Sequence, residues 1–120
     1  MSVKLNEKAL QHARSLVKRD RVVRDRRDDW SEHAPSADDG SEYIDAHGIE
    51  EYALWFLGED TDENEGTKAR HLFPYGDFSD VHRCAVISGE SRAGQYHHRS
   101  VEDALKDLLG LIDEHEDDEA

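Results

Sequence analysis

Apolar residues recur along this 120-residue chain at helical spacing rather than at the alternation of a strand. Leu10, Ala13, Leu16 and Val17 follow i, i+3, i+6, i+7, the stripe of an amphipathic helix, and Asn6 ahead of them is a favoured N-cap. This helix is expected to continue over residues 19–29, although Val22 and Val23 also fit a short extended piece. A connection follows from 30 to 35, because the residue before Pro35 avoids helical geometry. Ser36 is the expected N-cap of a second helix over 37–46, with Asp38 and Asp39 at its positive end and Gly48 as its terminator. A third helix is predicted over 49–57, with Tyr52, Ala53, Phe56 and Leu57 on one face and Gly58 closing it. Residues 58–67, GEDTDENEGT, read as a polar loop, residues 68–73 as one more helical turn, and Pro74, Tyr75 and Gly76 as a turn. Asp77 or Ser79 then caps a long helix reaching Tyr96. Ser100, with Asp103 three residues on, resembles a capping box and opens a last helix with the core stripe Val101, Leu105, Leu108, Leu109 and Ile112.

No segment alternates with period two for more than a few residues. The predicted fold class is therefore all-α, a compact bundle of four to six helices. The length fits a single domain over 1–120. Within it lie a basic N-terminal helical segment, 1–30, and an acidic tail, 114–120, expected to fray.

Charge changes the picture more than hydrophobicity does. Asp and Glu number 29 against 15 Lys and Arg, a formal net charge of −14, and only five of the basic residues are Lys. A surplus of this size destabilises a compact state by self-repulsion, and about 1 M salt, with a Debye length of roughly 3 Å, removes most of that cost. The composition thus predicts a halophilic protein of a salt-rich cytoplasm; an ordinary acidic protein is the alternative. The single cysteine, Cys84, excludes an intramolecular disulfide and a zinc site built from several cysteines. No apolar run approaches 18 residues and the N-terminus lacks the apolar stretch of a signal peptide, so a cytoplasmic, non-membrane chain is expected.

Residues 1–27 hold nine basic and three acidic side chains, against the acidic remainder. Arg19, Arg21, Arg24, Arg26 and Arg27 are therefore candidate nucleic-acid contacts. Arginine suits bidentate phosphate binding, but strong salt erodes phosphate affinity. The competing reading is a solvated helix face paired with acids.

The stretch FPYGDF…VHRCAVIS…SRAGQY, with EYALWFLG upstream and VEDALKDLLGLID downstream, resembles a family of small uncharacterised prokaryotic proteins. Three features carry the likeness. They are the Trp-aromatic-Leu-Gly run at residues 55–58, taken as a helix end, Thr67, Lys68 and Arg70 before the aromatic turn, and His82 with Arg83 in the long helix. The likeness spans roughly residues 40 to 113 and implies a shared fold, with no assigned activity.

Asp77, His82, Arg83 and Cys84 invite a catalytic reading, since Cys and His can act as nucleophile and base. Two positions apart on one helix they do not face each other. Cys84, followed by Ala85, Val86 and Ile87, reads as core, and Asp77 as a cap. Val81, Ala85, Ser88, Arg92 and Gln95 share one helical stripe. Lys68, Arg70, His82, Arg83 and Arg92 form a candidate anion or ligand pocket, against internal ion pairing as the alternative. His71, His82, His97 and His98 lack the spacing of a helical metal clamp, so neither a metal site nor a cofactor is predicted. Ser88, Gly89, Ser91, Ala93 and Gly94 read as a close-packing face, or a dimer interface. Together these features predict a non-catalytic binding or interaction protein whose partner is another protein or a second copy of itself. The alternative is a nucleic-acid-associated protein using the Arg-rich segment, and a small hydrolase or transferase at His82 and Arg83 ranks third.

Overall fold

The two sheets among the described residues are built from short or largely buried strands. The computed structural model describes residues 2–26 and 29–118. Their order is β1 (Val3–Leu5), α1 (Glu7–Lys18), β2 (Val22–Val23), α2 (Trp30–His33), α3 (Ala37–His47) and α4 (Ile49–Ala53). It continues with β3 (Phe56–Asp60), a 3-10 turn (Lys68–Arg70), β4 (His71–Pro74), β5 (Val81–His82), α5 (Arg83–Gln95) and α6 (Arg99–Asp118). Strands β1, β3 and β4 form an antiparallel sheet in that order, and β2 pairs with β5 in parallel.

The all-α expectation is thus overturned: the fold is mixed α/β. The reason lies in β3. As the central strand it buries Phe56, Leu57, Gly58 and Asp60, so its residues face protein on both sides and leave no alternation to read. The outer strands β1 and β4 hold three and four residues, too few to display a period. The predicted third helix stops at Ala53, and Phe56, Leu57 and Gly58 belong to the strand rather than to a helix end. Lys68–Arg70 keeps the expected turn, after which the chain extends.

The helix signals fared better where caps were explicit. Asn6 accepts from the Ala9 amide, and Ser36 and Asp39 form a reciprocal capping box. Gly48, at φ +89°, ends α3. Helix α1 ends at Lys18, so the Val22–Val23 pair takes the extended alternative. The long helix starts only at Arg83, and neither Asp77 nor Ser79 caps it. The last helix begins at Arg99, one residue ahead of the Ser100 cap expected for it, and runs to Asp118. Of the predicted acidic tail, Glu119 and Ala120 lie outside the described residues.

The core joins α1, the sheet, α5 and α6. Val101, Leu105, Leu108 and Ile112 of α6 are fully buried, as their spacing required. Gly89 of α5 sits where a Cβ would lie 3.2 Å from Leu105, which explains the small residues of α5 as close helix packing. Arg83 donates from Nε and Nη2 to Asp113, at 2.8 and 3.3 Å, and ties the same two helices together.

The turn after β4 is equally tight. A Cβ on Gly76 would collide with the Asp80 carbonyl and stand 2.8 Å from the Trp55 ring. Gly76→Ala is therefore expected to cost about 1–3 kcal/mol, the range for overpacking, read as a lowered denaturation midpoint. Unchanged stability would show that this turn is looser than described.

Candidate functional site

The parallel pairing of β2 with β5 sets the site. Val22 lies opposite Val81 and Val23 opposite His82. Continued by two residues, that register brings Asp25 level with Cys84. There the Cys84 amide donates to Asp25 Oδ1 at 2.8 Å. The other carboxylate oxygen, Oδ2, lies 2.7 Å from His82 Nδ1 and 2.8 Å from Nδ1 of His33 in α2. On its far side His82 Nε2 lies 2.8 Å from Asp77 Oδ2. Asp77 is itself held by amides of Ser79 and Asp80, both donating to Oδ1. The Trp30 ring packs against His82 at 5.5 Å.

The Asp25 and His82 side chains are 4% and 6% exposed. A buried charge survives only with partners, and here the partners are mutual. Burial alone would raise the Asp25 pKa, but hydrogen bonds from the Cys84 thiol and amide, then from His33 and His82, hold it well below the ordinary carboxylate range. Burial alone would lower that of His82, but hydrogen bonds to Asp77 and Asp25 raise it. Asp77 is lowered, its own burial outweighed by bonds from the Asp80 amide and His82. Burial, with Asp25 alongside, pushes the Cys84 thiol up to about 12. Cys84 is a protonated thiol at neutral pH, and His82 has both ring nitrogens engaged by carboxylates. Neither is an activated nucleophile–base pair.

A cavity of about 640 Å³ opens beside this cluster, with Trp30 in its wall. Its other walls are β4, through His71, Leu72, Phe73 and Pro74, one stripe of α5, through Ala85, Ser88, Gly89 and Arg92, and Tyr96 and His98 just beyond that helix. Phe73 takes φ +62°, a left-handed conformation costly for an aromatic residue, and its ring lies so close to Gly58 that a Cβ there would be 2.8 Å away. His71 has a buried Nδ1 without a hydrogen-bond partner, and burial lowers its pKa.

The five residues of the expected anion pocket do not meet in one cavity. Arg92 lines the large cavity. Lys68 donates to the Ala37 carbonyl and Ser41 Oγ and lines a smaller cavity beside α3. Arg70 donates to the Glu63 carbonyl. His82 belongs to the Asp25 cluster, and Arg83 to Asp113. Of the shared stripe, Ala85, Ser88 and Arg92 do line one cavity.

The arginines of the N-terminal segment are largely spent on the protein itself. Arg19 bonds the Ser15 carbonyl, Arg21 bonds Asp80 and Ser79, and Arg24 bonds Asp20. Arg26 is exposed, and Arg27 lies outside the described residues.

Sequence reading missed Asp25 and His33 as site residues. It also set His82 and Cys84 two positions apart on one helix, facing away from each other, whereas α5 begins between them and both turn toward Asp25. The one local signal was the matched pair of short runs, Val22-Val23-Arg24-Asp25 and Val81-His82-Arg83-Cys84. In comparisons with known proteins, no family model, curated protein or solved structure matches this chain.

Asp25→Asn should lower stability by about 3 kcal/mol, as expected when one member of a buried pair is removed; urea denaturation gives the value. The pH dependence carries a sign. The contribution of His82, whose pKa is raised on folding, is complete below its unfolded value of about 6.5 and is lost as pH rises through the folded one. Those of Asp25 and Asp77, lowered on folding, are complete above about 4 and are lost as pH falls. The stability gap between wild type and His82→Gln should therefore be widest between about pH 4 and 6.5 and narrow on either side. Thermal melts in buffer containing a chelator test this, and a gap independent of pH would contradict the assignment.

Proposed function

We propose that this protein is a non-catalytic binding protein whose ligand is a small molecule with an apolar body and an anionic end. The cavity beside α5 carries the reading. Its volume of about 640 Å³ falls within the range of small-molecule sites. Its wall is mostly apolar and aromatic, with Leu72, Phe73, Pro74, Ala85 and Tyr96, and Trp30 at one side. Arg92 stands on its rim, exposed, with no carboxylate or hydrogen-bond partner among the described residues. An apolar body in the cavity would direct an anion toward that guanidinium. The protonated Cys84 thiol and the fully engaged His82 support binding rather than turnover.

Among the described residues no helix is long and apolar enough to cross a membrane. A cytoplasmic location in a salt-rich cell remains part of the proposal and rests on the charge balance of −14.

Anilinonaphthalene sulfonate, an aromatic anion, is a direct probe. The folded protein should bind it at one site, followed by fluorescence titration with circular dichroism on the same samples. Arg92→Ala should weaken binding about fivefold, the scale of an exposed ion pair, and Ser88→Phe, which adds a ring at the cavity wall, should also weaken it. Binding that is unchanged in both folded variants would overturn the reading.

A further inference from the structure

We propose that Asp25, His33, His82 and Cys84 form a binding site for one zinc-type divalent transition-metal ion. One ligand atom from each residue lies within 4.8 Å of every other. The donors are a carboxylate oxygen, two imidazole nitrogens and one sulfur, the mixed N, O and S set that suits tetrahedral zinc. They come from four separate places in the chain: the segment after β2, α2, β5 and the first turn of α5.

The orientation of the donors is the stronger observation. Nδ1 of His33 and Nδ1 of His82 both face the same oxygen of Asp25, at 2.8 and 2.7 Å. Tetrahedral ligands about 2.0–2.1 Å from zinc stand roughly 3.3 Å apart. Seating the ion therefore needs an outward shift of about 0.5 Å in these side chains. His82 presents its other nitrogen to Asp77 at 2.8 Å, and Asp77 is fixed in turn by two amides. A carboxylate behind a ligating histidine, setting its tautomer and orientation, is the usual outer partner of a metal-bound imidazole. Trp30 closes the site on its apolar side. His33, with a side chain 38% exposed, offers the route of entry. Coordination removes the thiol proton outright, whatever its affinity in the metal-free protein.

The ion would act as a staple. Helix α2 has four residues, none of them buried, and it carries both His33 and Trp30. Fixing His33 to the ion would fix Trp30, which lines the large cavity. The site thus goes beyond ligand binding, and stands whether or not the cavity binds an anion.

Cobalt(II) is the spectroscopic probe and zinc the affinity probe, both added to the full, reduced chain. Wild type should take up one Co²⁺ with the intense visible bands of tetrahedral coordination and a near-ultraviolet thiolate-to-cobalt charge-transfer band, both lost on adding Zn²⁺. Cys84→Ser should lose the charge-transfer band. His33→Ala, at an exposed position that leaves the core intact, should lower zinc affinity at least about tenfold in competition with a chromophoric chelator. Asp77→Asn should keep the band pattern and lower affinity about 10–100-fold. Absence of the charge-transfer band in folded wild type would overturn the proposal. So would equal zinc affinity in wild type and His33→Ala, which would place the ion elsewhere, for instance at His97 and His98.

Discussion

The carboxylate of Asp25 is the interaction on which this structure turns. It lies in a segment without regular structure, yet it is almost fully buried. It accepts from an amide of α5, from a histidine of β5 and from a histidine of α2. Strands β2 and β5 pair over only two residues each, too few to be stable alone. Asp25 extends that pairing by side-chain bonds where the ladder stops. A buried carboxylate with these partners outweighs the exposed pairs nearby, such as Arg21 with Asp80, which contribute about 1 kcal/mol or less.

From that hub the rest of the binding face follows. Asp25 holds His82, and His82 carries Trp30 against it. Trp30 then walls the cavity opposite β4 and α5. On the other side of His82, Asp77 gathers the turn at residues 77–80, and Gly76 just before it packs on Trp55. The aromatic residues of FPYGDF thus divide their work. Tyr75 is wholly buried and donates to the Leu54 carbonyl, Phe78 stacks on Tyr43, and Phe73 faces the cavity. The polar cluster and the cavity are two uses of one loop and one short helix.

Helical faces were legible in the sequence, and pairings over long distances were not. The stripes of α1 and α6 and the caps Asn6 and Ser36 all depend on residues within a few positions of one another. The strands were hidden because β3 is buried on both faces and its partners are short. The site was hidden for a related reason. Asp25 and His82 are 57 residues apart, and only the parallel β2–β5 pairing unites them. Reading residues 77–96 as one helix gave Asp77 the role of a cap and set His82 and Cys84 on diverging faces. A break at Arg83 reverses both conclusions. Of the expected stripe, Ala85, Ser88 and Arg92 share a cavity wall because that part of α5 is helical, while Val81 lies in β5 and Gln95 does not line the cavity.

Amide hydrogen exchange on wild type and Asp25→Asn tests the central role of Asp25 most directly. If Asp25 ties the β2–α2 segment to β5 and α5, the variant should lose protection at residues 21–26, at residues 29–34 and at the Cys84 amide, while α1, α6 and β3 keep theirs. Loss spread evenly over the chain, or no change around residue 84, would contradict the view that this carboxylate organises the binding face.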